Sequence, residues 1–120
     1  MIILDDVQVH SKSKELINLS TMSRHYHITV ILSLQYPKQL CSSSIRNNLD
    51  SVFFSDLGEI ALKAIYDSIH LPYNFKTFQQ FVDANNHNFQ FIMYDSREPN
   101  KKDRIKIVKA KEFNNLKLQK

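Results

Sequence analysis

The hydrophobic and polar positions of this chain follow two patterns, one typical of buried strands and the other of amphipathic helices. The strand pattern is a run of β-branched, aromatic or leucine side chains, and it occurs in residues 2–4, 28–34, 51–54, 89–94 and 104–108. The helical pattern repeats apolar residues every three or four positions, and it occurs in residues 12–22, 60–69 and 75–82. Because strands alternate with helices early in the chain, the order predicts an α/β fold with a parallel sheet. The last two strands predict a hairpin at its edge.

Three segments carry more specific structural predictions. Residues 28–34 are nearly uncharged, which predicts a central strand buried on both faces. The helix that follows residue 55 is expected to be capped near Ser55 or Asp56, whose side-chain oxygens can accept from its first N–H groups. The apolar stripe of Phe75, Phe78 and Phe81 with the neighbouring valine favours core packing over a cofactor site.

Length and composition limit the chain to one core. With 120 residues, 42% of them hydrophobic, it can bury a single core, here assigned to residues 1–113, with a basic tail at 114–120. The chain has no run near the roughly 20 apolar residues that cross a bilayer. The N-terminus turns acidic at once, unlike a signal peptide. The single cysteine, Cys41, favours a reducing compartment, and no membrane partner is expected.

Charge and glycine content narrow the possible functions. The chain has 16 Lys and Arg against 12 Asp and Glu, a formal net charge of +4. That balance suits contact with nucleic acid phosphates, although an ordinary solvated surface carries similar charge. Gly58 is the only glycine, where average usage predicts roughly eight. Neither GxxxxGK(S/T) nor GxGxxG occurs, so the chain lacks a glycine-rich cradle for nucleotide phosphates.

Polar residues at the ends of the first two predicted strands form a candidate site. Asp5 and Asp6 follow an apolar strand, an arrangement in which one carboxylate can hold Mg²⁺ through water and the next can orient an attacking water. Such a pair can also cap a helix or face solvent. Gln35 follows the second strand, at the same sheet edge if the strands are parallel neighbours. Its amide could sense a γ-phosphate, or it could simply end a strand.

Two arginines could reach a phosphate on a neighbouring subunit. Arg24 lies between the first helix and the second strand, and Arg46 precedes the third strand. An arginine in such a position can act as an arginine finger, which stabilises the charge of the transferring phosphoryl group. Either residue could equally be an ordinary surface charge.

Taken together, three segments resemble one known superfamily. They are IILDDV at 2–7, SRHYHITVILSLQYP at 23–37 and IRNNLDSVFF at 45–54. This series resembles the FtsK–HerA superfamily of P-loop translocases, and within it the poxvirus-type genome-packaging ATPases of large DNA viruses. The likeness is close over residues 2–54 and is limited to the order of elements over 60–113. It implies a partial P-loop NTPase fold (RecA/ASCE-like), a mostly parallel sheet flanked by helices, without the N-terminal P-loop strand and helix.

The resemblance also implies roles for six residues. Asp5 resembles the Walker B aspartate that contacts Mg²⁺ through water, and Asp6 the catalytic acid after it. Gln35 looks like the strand-end sensor of nucleotide state, and Arg24 like the arginine at the subunit interface. Arg46 and Asn48 match polar nucleotide-binding positions before the next strand. The implied protein is an oligomeric motor on double-stranded DNA that uses ATP and Mg²⁺, contacts viral capsid components, and works in the host cytoplasm or virion.

The P-loop is missing from this pattern, and three interpretations follow. The first is a truncated or split packaging ATPase, inactive alone because the P-loop Lys and Ser/Thr are absent, and completed by the missing half. The second is a non-hydrolysing DNA-binding or assembly module derived from such a motor. The third is an unrelated small α/β protein with a coincidental acidic pair. A structure without three adjacent parallel strands beginning at Ile2, Ile28 and Ser51 favours the third.

Overall fold

The computed structural model describes residues 1–5, 14–35 and 43–109, which contain five strands and four α-helices. In chain order they are β1 (Ile2–Leu4), α1 (Lys14–Met22), β2 (Val30–Leu32), α2 (Ser43–Arg46), β3 (Ser51–Phe54), α3 (Glu59–Ser68), α4 (Phe75–Asn85), β4 (Gln90–Asp95) and β5 (Ile105–Lys109). A short 3-10 helix, Lys101–Asp103, precedes β5. Within these ranges every helix is too short or too polar to cross a membrane.

The strands form two sheets. β1 and β2 are parallel, with Leu4 opposite Leu32, whereas β3, β4 and β5 form an antiparallel sheet in that order. The fold is therefore α/β, and the hairpin predicted from the last two strands is confirmed. The prediction of a mostly parallel sheet is wrong. Two helices join β3 to β4, as predicted, but β4 begins near the end of β3 and runs antiparallel to it.

The antiparallel sheet packs against α3 and α4 to form the larger core. Its buried side chains are Phe54, Leu62, Ile65, Ile69, Phe78, Val82, Ile92 and Tyr94. The predicted aromatic stripe is confirmed as core, because Phe78 is buried and Phe75 and Phe81 pack against the same cluster. The Phe54 and Phe78 rings lie 6.1 Å apart, within the range in which aromatic pairs attract.

The start of α3 differs from its prediction. Its N-cap residue is Gly58, which offers no side-chain hydrogen bond. Asp56 is instead engaged with Asn86, whose Oδ1 accepts from the Asp56 backbone N–H and whose Nδ2 donates to Asp56 Oδ1 at 3.3 Å. This pairing ties the end of β3 to the end of α4, and a helix capped at Ser55 or Asp56 is wrong.

The parallel pair packs against α1 and α2 to form a smaller core. Leu16 and Ile45 are its buried residues, with Leu4, Leu32 and Leu49 packed against them. The opposite face of this pair is bare, since Ile3 is 58% exposed and Ile31 46%. The prediction of a strand buried on both faces is therefore wrong for β2, because among the described elements helices cover only one face.

Candidate functional site

Asp5 and Gln35 lie at one edge of the parallel pair. Leu4 is opposite Leu32, and the Ser33 backbone N–H donates to the Leu4 carbonyl at 2.9 Å. Asp5 follows Leu4 directly, and Gln35 comes three positions after Leu32, so both leave the sheet at its carboxyl edge. Both residues are exposed. The arrangement offers a carboxylate and an amide to a ligand at this edge.

The metal-binding capacity of this edge depends on groups beyond Asp5. Asp6, the predicted catalytic acid, lies outside the described residues. Within the described part of the chain no group of three or more His, Cys, Asp or Glu could hold a metal ion. Mg²⁺ in nucleotide sites is typically bound by one or two carboxylates together with substrate phosphates and waters. Asp5 supplies one carboxylate of the kind that such sites use.

Arg24 lies at the other end of the parallel pair, where the chain enters β2. Its Nη2 donates to Asp50 Oδ1 at 2.7 Å and to the Asn48 carbonyl oxygen at 3.4 Å. The Arg24 and Asp50 side chains are 55% and 51% exposed, and such ion pairs contribute at most about 1 kcal/mol. Arg24 and Gln35 therefore occupy opposite ends of β2 and its flanking residues.

Arg46 and Asn48 lie at the same end of the parallel pair as Arg24. Arg46 is the last residue of α2 and is half-buried, and Asn48 Nδ2 donates to the Ser44 carbonyl oxygen at 2.7 Å. That bond closes the end of α2, because carbonyls in a last helical turn otherwise lack a partner. The structure thus divides the predicted site residues into two sets, Asp5 with Gln35 and Arg24 with Arg46 and Asn48.

A groove between β2 and β3, which sequence reasoning missed, lies in the described part of the chain. Its volume is about 850 Å³, and its walls include residues 29–35 on one side and 51–55 on the other. Leu16, Ile45 and Phe91 also line it, and none of the described residues that line it is charged. The sequence carries no signal for this groove, because it depends on which strands pair with each other.

Asp95, also missed from sequence, is a carboxyl whose pKa the fold lowers. The backbone N–H of Arg97 donates to its Oδ1 at 3.0 Å and, as the largest cause, holds the pKa of that carboxyl below its ordinary value. The Arg97 guanidinium and Lys106 ammonium also lower this pKa, and partial burial opposes them. These contacts fasten the turn between β4 and β5. An aspartate accepting from the N–H two positions on is a common turn signal, which the sequence Asp-Ser-Arg carries.

Comparisons with protein-family models, with curated proteins and with solved structures found no match. The fold defines a small α/β protein with a parallel strand pair and a three-stranded antiparallel sheet. Its function must therefore be argued from the placement of its own residues.

Proposed function

We propose that this chain is part of a DNA-packaging ATPase, a motor that moves double-stranded viral DNA into capsids. A P-loop segment outside the sequence would complete its catalytic site. The observation that supports the proposal best is the parallel β1–β2 pair with Asp5 and Gln35 at its carboxyl edge. Ligands of open parallel sheets bind at the carboxyl ends of the strands, where these side chains are available.

The residues at this edge would divide the work of ATP hydrolysis. Asp5 would contact Mg²⁺ through water, the metal neutralising charge on the phosphates. Asp6 would orient the attacking water, and the Gln35 amide would contact the γ-phosphate and report its loss. The chain alone would not hydrolyse ATP, because it lacks the P-loop Lys and Ser/Thr.

Arg24 would act on a neighbouring copy in a homo-oligomeric ring. It lies at the other end of β2 from Gln35, so it cannot serve the nucleotide held at its own Asp5 edge. Its exposed ion pair with Asp50 is weak enough to exchange for a phosphate, since surface pairs contribute roughly 0–1 kcal/mol. Arg46 and Asn48, at the same end, would face the same subunit interface.

Reconstitution with the P-loop segment tests the proposal. The DNA upstream of Met1 is read for a segment encoding GxxxxGK(S/T), and the two polypeptides are co-expressed and assayed for ATP hydrolysis with duplex DNA. We expect ATP hydrolysis by the complex and none by either polypeptide on its own. Asp6→Asn should abolish turnover and leave nucleotide binding intact, because it removes the water-orienting carboxylate without removing a phosphate contact.

Asp83→Asn is the matched control, because Asp83 is an exposed acid on α4 and should keep full turnover. Full turnover by the Asp6→Asn complex would show that the assignment of Asp6 is wrong. If no reading frame upstream encodes a P-loop, the split-gene form of the proposal is wrong.

A second candidate, an unrelated small α/β protein with a coincidental acidic pair, is favoured by one observation. Among the described strands, β2 and β3 do not pair, so the three adjacent parallel strands that the motor fold requires are absent. Filter binding of duplex DNA across a salt series separates this candidate from a non-hydrolysing DNA-binding or assembly module, since affinity from phosphate contacts falls as salt rises. Binding that ignores salt excludes phosphate contact, and no binding at all leaves the unrelated α/β protein as the interpretation.

A further inference from the structure

Two strand edges in this fold face a common groove without pairing across it. β2 pairs with β1, and β3 pairs with β4, and neither has a second partner among the described strands. Residues of both strands line the same cavity of about 850 Å³. Unpaired strand edges present a row of free N–H and C=O groups that readily accept another strand.

The hydrogen bonds of β2 show which of its backbone groups face the groove. The Thr29 carbonyl accepts from Ile2 and the Ser33 N–H donates to Leu4, so Thr29 and Ser33 point toward β1. Successive residues of a strand direct their backbone groups to opposite edges, as they do their side chains to opposite faces. Val30 and Leu32 therefore direct their N–H and C=O groups away from β1, toward the groove.

The same reasoning applies to β3. The Asp50 carbonyl accepts from the Ser96 N–H at 2.9 Å, and Val52 lies opposite Tyr94. Backbone groups of Asp50 and Val52 thus point toward β4, and those of Ser51 and Phe53 point away from it. Each wall of the groove accordingly offers two residues with backbone groups free of partners among the described residues.

The two walls also run in the same direction. Arg24, on the segment entering β2, bonds to Asn48 and Asp50, on the segment entering β3. Gln35 and Ser55, which follow the two strands, line the same cavity. One extended segment could therefore lie along both strands over their whole length.

We propose that this groove is a strand-insertion site for an extended, uncharged segment of another polypeptide. The inserted strand pairs with β2 on one side and β3 on the other, and the two sheets become one continuous sheet. The lining decides the chemistry of the occupant. Its described residues are apolar with a few hydroxyls and none is charged, so a charged side chain buried there would lack a partner among them. β-branched residues suit such a position.

This inference goes beyond the ATPase proposal and does not depend on it, since it needs neither ATP nor Asp6. The chain's own residues 110–120 are a poorer occupant, because they include Lys111, Glu112 and Lys117. Recognition by strand addition draws its affinity from main-chain hydrogen bonds. The test can therefore target the backbone directly.

Amide hydrogen exchange of the full chain with a synthetic peptide tests the insertion. The probe alternates valine and threonine and carries a lysine at each end, and its control is N-methylated at consecutive residues, so that both of its edges are blocked. We expect the N–H groups of Val30, Leu32, Ser51 and Phe53 to exchange slowly only with the unmodified peptide. Equal protection by the N-methylated peptide would overturn the proposal, because that peptide cannot complete the ladder.

Slow exchange of these N–H groups in the free chain would also overturn it. Protection that rises with protein concentration would assign the groove to a second copy of the chain. Protection independent of concentration would assign it to a segment of the same chain. In either case the groove is already occupied and is not open to an added segment.

Phe53 provides a matched pair of variants. Its side chain is 59% exposed and its N–H points away from β4, so proline is tolerated there as on other strand edges. Phe53→Pro should weaken peptide binding roughly tenfold or more, since it removes a ladder donor and places a ring in the groove. Phe53→Ala removes the same side chain and should bind nearly as the natural chain does.

Equal peptide binding by Phe53→Pro and Phe53→Ala would contradict insertion. If Phe53→Pro fails to fold by circular dichroism, Ser51→Pro against Ser51→Ala repeats the comparison. Ser51 is the first residue of β3, a position where proline is accepted, and its N–H faces the groove as that of Phe53 does.

Discussion

Asp95 is held by two basic residues and a backbone N–H. It accepts from the backbone and side chain of Arg97, and Lys106 Nζ lies 3.6 Å from its Oδ2. Its side chain is only 13% exposed. These contacts favour the ionised form, and the same carboxylate closes the turn from β4 toward β5. Its charge and the geometry of the turn are therefore coupled.

We expect Asp95 to contribute to the acid sensitivity of the fold. Its folded pKa is lowered from 3.8, so the unfolded state binds the proton more tightly. The stabilisation is present above pH 3.8 and is lost as the pH falls through the folded pKa. Asp95→Asn should be less stable than the natural chain at neutral pH, and the difference should shrink below pH 3.8. Urea unfolding across the acid range measures both effects.

Asp83→Asn is the comparison, since Asp83 is exposed on α4 and the change removes a carboxylate without touching the turn from β4 toward β5. If the Asp95→Asn and natural chains differ by the same free energy at every pH, the role assigned to the Asp95 charge is wrong.

At the scale of elements, α4 has a side-chain cap and α3 does not. Asn74 Oδ1 accepts from the Thr77 N–H at 2.8 Å, whereas Gly58 provides no such acceptor. Asn74→Ala should lower the free energy of unfolding by about 0.5–2 kcal/mol, because it leaves a helix N–H without its partner. Urea unfolding should show a lower midpoint with an unchanged slope. Gln80→Ala, exposed on the same helix, should change the midpoint little.

The elements were predictable where a single segment decides them. The apolar stripe of α4 and the strand pattern of residues 51–54 identify those elements without reference to any distant residue. Asp5 and Gln35 could be placed at one sheet edge, because strand ends follow from the hydrophobic pattern and β1 and β2 are parallel neighbours.

Features that depend on distant partners were not predictable. Asp56 pairs with Asn86, thirty positions away, so its local capping signal was misleading. β3 pairs with β4 and not with β2. The groove and the division of the strands into two sheets both follow from that pairing. The salt bridge between Arg24 and Asp50 was not predictable either, because no local sequence pattern relates the two residues.

At the scale of the whole molecule, the two hydrophobic clusters share no buried residue. The larger one joins α3 and α4 to the antiparallel sheet, and among the described residues the smaller one contains two that are buried, Leu16 and Ile45. Regions with few buried apolar contacts open at lower free energy than the rest of a protein. The parallel pair with α1 and α2 is therefore the less stable half.

Hydrogen exchange should separate the two halves. The Ser33 N–H, bonded to Leu4, should exchange at a lower opening free energy than the N–H groups of the β3–β4 ladder. Leu16→Ala should speed exchange in the β1–β2 ladder, since such substitutions cost about 2–5 kcal/mol, and should leave β3–β4 unchanged. A single common opening free energy for both sheets would show instead that the clusters unfold together.

The connection between β3 and β4 has a consequence for synthesis of the chain. These neighbouring strands are separated by residues 55–89, which contain α3 and α4. At roughly 5–20 residues per second, a ribosome needs a few seconds to make that connection. During that interval the Val52 and Phe54 backbone groups have no β4 to pair with, and Ser-Val-Phe-Phe is a short apolar segment of the kind that associates between nascent chains. The delay between the synthesis of β3 and that of β4 is therefore a period in which unpaired β3 can associate with another nascent chain.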